Sequence, residues 1–272
     1  MERSWPYYLS IILVACFVSC GSPSEKSGQA THVSRFHYQG TAENMNALAY
    51  ALEQDPTNAH AWREFSIPYL KRGMPGAWKK AMDSAVKYEP KSLTPIRGYN
   101  YLWFYRDYKK AIADFNASDT LTPHLDYPQG HSVDYWRGIA YLGLQDYPNS
   151  IAFWDKHIAK ETADSGEDWV EIEAWLFRGI AHFESGKLTA AQADFEKALT
   201  YGKKSADAHY YLAQIHAAQA RPKLARNELN LAKQDFKAGY FNFKDSYTET
   251  LRQIYWEDLE TLEKEYLQSP SK

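Results

Sequence analysis

Trp136-Arg137-Gly138-Ile139-Ala140-Tyr141 and Phe177-Arg178-Gly179-Ile180-Ala181-His182 are two versions of one phrase, and Ile96-Arg97-Gly98-Tyr99 is a shorter third. Each is followed, about nine or ten residues later, by a pattern that opens a helix. These are Asp107-Tyr108-Lys109-Lys110-Ala111-Ile112 with Phe115, Asp146-Tyr147-Pro148-Asn149-Ser150-Ile151 with Trp154, and Lys187-Leu188-Thr189-Ala190-Ala191 with Phe195 and Ala198. The repeating unit is therefore a pair of helices. Two helices alone cannot bury their apolar faces, whereas a stack of such pairs can, so self-similarity of this kind implies an array.

Working outward, an upstream copy has Trp62, Phe65, Ser66 and Tyr69 in its first helix and Met82, Ala85 and Pro90 in its second, with Trp78 where a small residue is expected. Downstream, Leu212, Ala213 and His216 are followed by Ala225, Leu229 and Ala232, and a half copy, Leu48-Ala49-Tyr50-Ala51, closes at Asp55-Pro56. The copies are spaced by about 33, 40, 41 and 34 residues. The pattern resembles the tetratricopeptide repeat (TPR), whose first helix carries a large, a small and an aromatic residue and whose second carries Ala, an aromatic and Ala before a Pro. That resemblance implies an all-α fold, a right-handed α-solenoid of about five helix pairs. Gly98, Gly138 and Gly179 are expected where a facing aromatic meets the backbone, and Ala111, Ala191 and Ala225 do the same from the second helix. Pro56, Pro90 and Pro123 cannot continue a helix and are expected to end three second helices. Pro68 falls inside a first helix, where it is expected to kink or shorten it.

The domain organisation read from the sequence is a leader at 1–19, a flexible tether at 20–40, the array at 41–236 and a C-terminal capping region at 237–272. Met1-Glu2-Arg3 and the apolar run from Tyr7 to Val18 are too short to span a bilayer comfortably and read as a targeting segment. Leu13-Val14-Ala15-Cys16 and Phe17-Val18-Ser19-Cys20 resemble the lipobox of bacterial lipoproteins, which implies a diacylglyceryl cysteine at the mature N-terminus. Cys20 is preferred, with Cys16 the alternative, because a cut before Cys20 delivers the polar stretch Gly21-Ser22-Pro23-Ser24-Glu25-Lys26-Ser27-Gly28. At the other end Tyr247, Leu251, Ile254, Tyr255, Leu259, Leu262 and Tyr266 recur at three-to-four spacing, which predicts an amphipathic helix over the last exposed repeat face. Extra residues at 121–132 and 159–168 separate copies and read as longer loops.

Charge is nearly balanced, 31 basic against 34 acidic residues, and no basic block occurs, so nucleic acid is not expected as a partner. No Gly-rich phosphate loop, Gly-x-Ser-x-Gly or His-Glu-x-x-His is present, and neither catalysis nor a cofactor is expected. His209 with His216, and His124 with His131, share a seven-residue spacing, yet a metal site needs three or four convergent ligands and none is expected. Acidic pairs such as Glu171 and Glu173 read as solvated charge.

In the TPR family the first helices line a concave surface that meets the ligand. Carried onto this chain, that face comprises Arg63, Ile67, Tyr99, Trp103, Tyr135, Ile139, Leu142, Leu176, Ile180, Phe183, Tyr210 and Gln214, the alternative for each being burial between neighbouring first helices. The expected function is a lipid-anchored adaptor of the bacterial cell envelope, at the outer membrane, that holds an extended or helical segment of an envelope protein in an aromatic-rich groove. Carbohydrate binding on Tyr99, Trp103, Tyr135 and Phe183 is the alternative. The lysine and asparagine clamp with which family members hold a peptide carboxylate is missing.

Overall fold

A computed structural model describes residues 21–122, 125–242 and 248–267. Among them every regular element is helical, thirteen α-helices in all, and none is long and apolar enough to cross a membrane. The chain divides into two compact units, residues 1–93 and 94–272. Cys16, Cys20 and Pro123 lie outside the described residues.

The first unit holds α1 (Pro23–Ser34), α2 (Ala42–Gln54), α3 (Ala59–Lys71) and α4 (Pro75–Tyr88). Helix α1 occupies much of the stretch expected to be a flexible tether. Ser22 starts it with a capping box, its hydroxyl accepting from the Glu25 amide while the Glu25 carboxylate accepts from the Ser22 amide. What α1 buries is polar: Ser27, Thr31 and Ser34, all under 5% exposed. Small side chains let α2 and α3 come close, and Asn44 and Asn58 reach across. Asn44 donates to the Ser34 carbonyl at 2.9 Å and Asn58 to the Ser27 hydroxyl at 2.8 Å. The half copy around Leu48 is thus the second helix of a pair whose first helix is α1, so that the described residues hold six pairs where about five were expected. Helix α3 runs on past Pro68 to Lys71.

The second unit takes up most of α5 (Pro90–Tyr105), whose first residues lie before the boundary, and α6 (Tyr108–Leu121). Then follow α7 (Val133–Gly143), α8 (Tyr147–Ser165), α9 (Ile172–Glu184), α10 (Leu188–Gly202), α11 (Ala206–Ala218), α12 (Pro222–Lys237) and α13 (Trp256–Leu262). Side-chain caps set the starts: Asp107, Ser132, Asp146 and Ser205 each accept from a backbone N–H three residues on. Pro56 lies two residues beyond α2, and Pro90, following the last residue of the α4 turn, is the first residue of α5. The extra residues at 159–168 are not a loop. They lengthen α8 to Ser165, and a short 3-10 turn, Glu167–Trp169, then leaves Trp169 74% exposed.

The C-terminal region departs most from expectation. The periodic residues from Tyr247 do not build one long helix: residues 239–242 and 248–255 form no regular helix, Tyr247 lies outside the described residues, and α13 begins at Trp256. The cap itself is present, since Leu259 and Leu262 join Ala213, Leu229 and Ala232 in one buried cluster.

Candidate functional site

The glycine of each phrase sits where a ring from the paired helix lies on the backbone. A Cβ on Gly138 would stand 2.6 Å from the Trp154 indole, one on Gly179 2.7 Å from the Phe195 ring and one on Gly98 2.9 Å from Phe115. Ala111 and Ala191 are fully buried and Ala225 nearly so. The arginine before each glycine has its own task. Arg97 Nε and Nη2 donate to Asp114, at 2.8 and 2.7 Å, and Arg178 donates to Asp194 and Asp155. In the middle copy the position of that aspartate is Phe153. Arg137, 3% exposed, lies over its ring at 5.2 Å and turns its donors to Asp134, Asp119, Asn116 and the Phe115 carbonyl.

The expected groove residues are mostly core. Tyr99, Trp103, Tyr135, Ile139, Leu142, Leu176 and Ile180 are all buried, while Arg63, Ile67, Phe183, Tyr210 and Gln214 are half-buried. The reason is ring size: aromatic side chains meet across successive first helices and within a helix pair before any open surface forms. Tyr99 and Trp103 pack edge-on against Trp136 with centroids 5.0 and 6.2 Å apart, and Tyr135 packs edge-on against Trp154 at 4.8 Å. Walled-in rings offer no broad face for a sugar, so Tyr99, Trp103 and Tyr135 do not form the carbohydrate platform considered from the sequence.

What remains of that face in the second unit is met by the chain's own residues 239–242 and 248–255, which together form a strap. The Tyr240 carbonyl accepts from the Ala206 amide at 2.8 Å, and the Asn242 amide donates to Asp207 Oδ2 at 2.8 Å, both at the start of α11. Further along, Arg252 forks onto Glu184 at the end of α9, at 2.6 and 3.0 Å, and Arg106, just after α5, donates to the Glu249 carbonyl. Within the strap Thr248, Thr250, Leu251 and Ile254 are themselves buried. Asp207, 1% exposed, has its carboxyl pushed up to about 6 by burial, with Glu173 adding repulsion and the Asn242 amide opposing. Three cavities, of about 310, 190 and 240 Å³, lie along the strap, the first sharing Thr250 with the second and the second sharing Glu173 and Asn242 with the third.

Sequence reasoning missed a polar cluster beside the strap. The Ser132 hydroxyl is 3.0 Å from His157 Nδ1, His157 Nε2 is 3.0 Å from Glu171 Oε2, and His131 Nδ1 is 3.2 Å from the other Glu171 oxygen. Glu171 is therefore not simply solvated. Burial pushes its carboxyl up, yet hydrogen bonds from both imidazoles outweigh that and hold it well below the usual range. Ser132 is 1% exposed and already caps α7, so the cluster works as a clamp joining the turn before α7 to α8 and the entry to α9. No spacing rule would have found it, because its members come from two separate connections and the body of α8. Among the described residues no group of three or more His, Cys, Asp or Glu side chains could hold a metal ion.

Residues 182–238 match the tetratricopeptide-repeat family model. No curated protein matches the chain. Among solved structures it is similar to PilW, a widely conserved type IV pilus biogenesis factor, with TM-score 0.62 and 16% identity over 87% of this chain and 97% of that one. It is also similar to Pseudomonas aeruginosa pilF, with TM-score 0.57 and 14% identity over 80% and 100%. A third is YrrB, a TPR protein with an unusual peptide-binding site, with TM-score 0.52 and 17% identity over 70% and 92%. At such identities the likeness is one of fold.

Proposed function

We propose that this chain, a tetratricopeptide-repeat protein by fold, is a protein-interaction scaffold held at the bacterial cell envelope by a lipid on Cys20. Helix-pair arrays of this kind present side chains from successive first helices to an extended or helical segment of another protein. The observation that carries the reading is the strap: the first-helix face of the second unit already holds two segments of its own chain through backbone groups, a bidentate arginine and buried aliphatic side chains. A surface that grips its own chain in this way has the chemistry to grip another. The half-buried Phe183, Tyr210 and Gln214 of the second unit, and Arg63 and Ile67 of the first, are the inner-face positions left for a partner. YrrB supports the reading through its peptide-binding site and PilW through its part in type IV pilus biogenesis.

The test is site-specific photocrosslinking in intact cells, with the photoreactive residue at Phe183, Gln214 or Ile67 and, as a control, at the exposed Glu196. The expected result is a protein adduct of one mass from an inner-face position that is absent from the control. Lipid or abundant porins alone, at every position, would overturn the adaptor reading.

A further inference from the structure

The two most exposed large apolar side chains among the described residues stand two positions apart, in the turn that joins α1 to α2: Phe36 is 76% and Tyr38 89% exposed. The Phe36 amide donates to the Val33 carbonyl and the His37 amide to the Ser34 carbonyl, so the helical winding of α1 runs on into the turn. This sets Val33, itself 47% exposed, on the same face as Phe36, with His32 edge-on to the Phe36 ring at 5.2 Å. The packed face of α1 is the other one, made by Ser27, Thr31 and Ser34, while Gly28, Gln29, His32 and Val33 point outward and are exposed. Rings held this far into water add little to the core of the unit and are unfavourable unless something covers them.

Charge and position narrow what covers them. From Lys26 to Ala42 the sequence has no acidic residue, while Lys26 and Arg35 lie within it. Arg72 joins them in space, its Nη2 donating to the Gly40 carbonyl at 2.7 Å, and Arg35 donates to His60 Nε2 at 2.7 Å, so both guanidinium groups are hydrogen-bonded to partners that are not carboxylates. The acids that bound the stretch are engaged, Glu25 with the Ser22 amide and Glu43 with its own amide and the Thr41 hydroxyl. Three apolar side chains fall far short of the ~800 Å² that each partner buries in a stable protein interface, whereas the headgroup layer of a bilayer takes rings and cations and asks for no complementary shape. The turn is also near Cys20: α1 has 12 residues, and only Gly21 separates Cys20 from the cap Ser22. A helix of that size is about 18 Å long, so one flat surface reaches both ends.

We propose that the turn carrying Val33, Phe36 and Tyr38 rests in the headgroup layer of a phospholipid membrane. The rings sit at the level of the upper acyl chains, Lys26, Arg35 and Arg72 face the phosphates, and α1 lies along the surface and fixes how the first unit stands on it. The inference rests on the lipid anchor of the proposed function. The test places a photoreactive residue in the full-length protein at Phe36, at Tyr38 or, as control, at the exposed Lys80 of α4, and irradiates intact cells. Mass spectrometry identifies the adducts and also reads whether the chain carries its lipid. The expected result is a phospholipid adduct at positions 36 and 38 in at least about fivefold higher yield than at position 80. Arg35→Glu, at an exposed position where folding is not at stake, should lower both yields at least about twofold by repulsion from the phosphates. With the chain lipidated, equal yields at the three positions, adducts to protein alone at 36 and 38, or yields unaltered by Arg35→Glu would overturn the inference and leave the anchor standing. A chain without lipid that still gives phospholipid adducts at 36 and 38 would overturn the anchor and uphold the turn as a membrane contact. A chain with neither would overturn both.

Discussion

Gly138 and Arg178 stand one repeat apart and each does what a larger or uncharged residue could not. Trp154 is fully buried, and its ring is stacked on Phe177 at 5.9 Å, so it cannot retreat from a Cβ placed on Gly138. Gly138→Ala is accordingly expected to cost about 1 to 3 kcal/mol in urea unfolding. Gly76, in α4 with open space around it, is the control: its change to alanine should be neutral or add about 0.5 to 1 kcal/mol. Arg178 matters for what it leaves behind. Asp194 is 4% exposed and accepts from Arg178 Nε and Nη2, so Arg178→Met strands a buried carboxylate and is expected to cost about 3 to 5 kcal/mol. The double variant Arg178→Met, Asp194→Leu should recover most of that loss, and a double-mutant cycle reads it directly. The glycine contacts were legible in the sequence because sterics leaves one residue type there. The arginines stand in the same phrase, yet their partners lie sixteen or seventeen residues away, and the middle copy breaks the rule by placing Phe153 where aspartate stands in the others.

At the scale of the element, the two ends of the chain show where pattern reading stops. Helix α1 buries serine and threonine, and the strap buries Thr248, Leu251 and Ile254 without helical spacing, so neither leaves the apolar period from which a helix or its absence is inferred. The cap was legible because Leu259 and Leu262 keep that period. Leu259→Ala, at a fully buried site against Leu229 and Ala232, should cost about 2 to 5 kcal/mol and accelerate amide exchange first in α11, α12 and α13. The strap should also confer a pH response through Asp207. Its native carboxyl titrates near 6, above the value of 3.8 that it has when free, so between those limits the native state holds the proton more firmly than the unfolded chain. That contribution is complete below about pH 4 and is lost as pH rises through 6, a change on the order of 3 kcal/mol. Asp207→Asn should flatten this part of the curve, seen as a smaller difference between denaturation midpoints at pH 4.5 and pH 7.

For the whole molecule, fold and location rest on different stretches of sequence. The array is specified by repeated close contacts spread along both units. The proposed location rests on the lipid at Cys20, outside the described residues. Cys20→Ser is expected to release the protein from washed membranes into the soluble fraction and to abolish labelling by a fatty-acid analogue. Cys16→Ser is expected to leave both unchanged; the opposite pattern would move the lipid to Cys16.

The strap is the last part of the face to leave the ribosome, after every helix that it crosses has been made. Until then the inner side of the second unit is open, and afterwards a competitor must displace a covalently tethered occupant whose local concentration is on the order of millimolar. A partner that engages the finished protein there has to offer more than the strap's own contacts, or bind first at a neighbouring surface and work inward. Weak, short peptides drawn from a true partner should therefore fail in isolation where the intact partner succeeds.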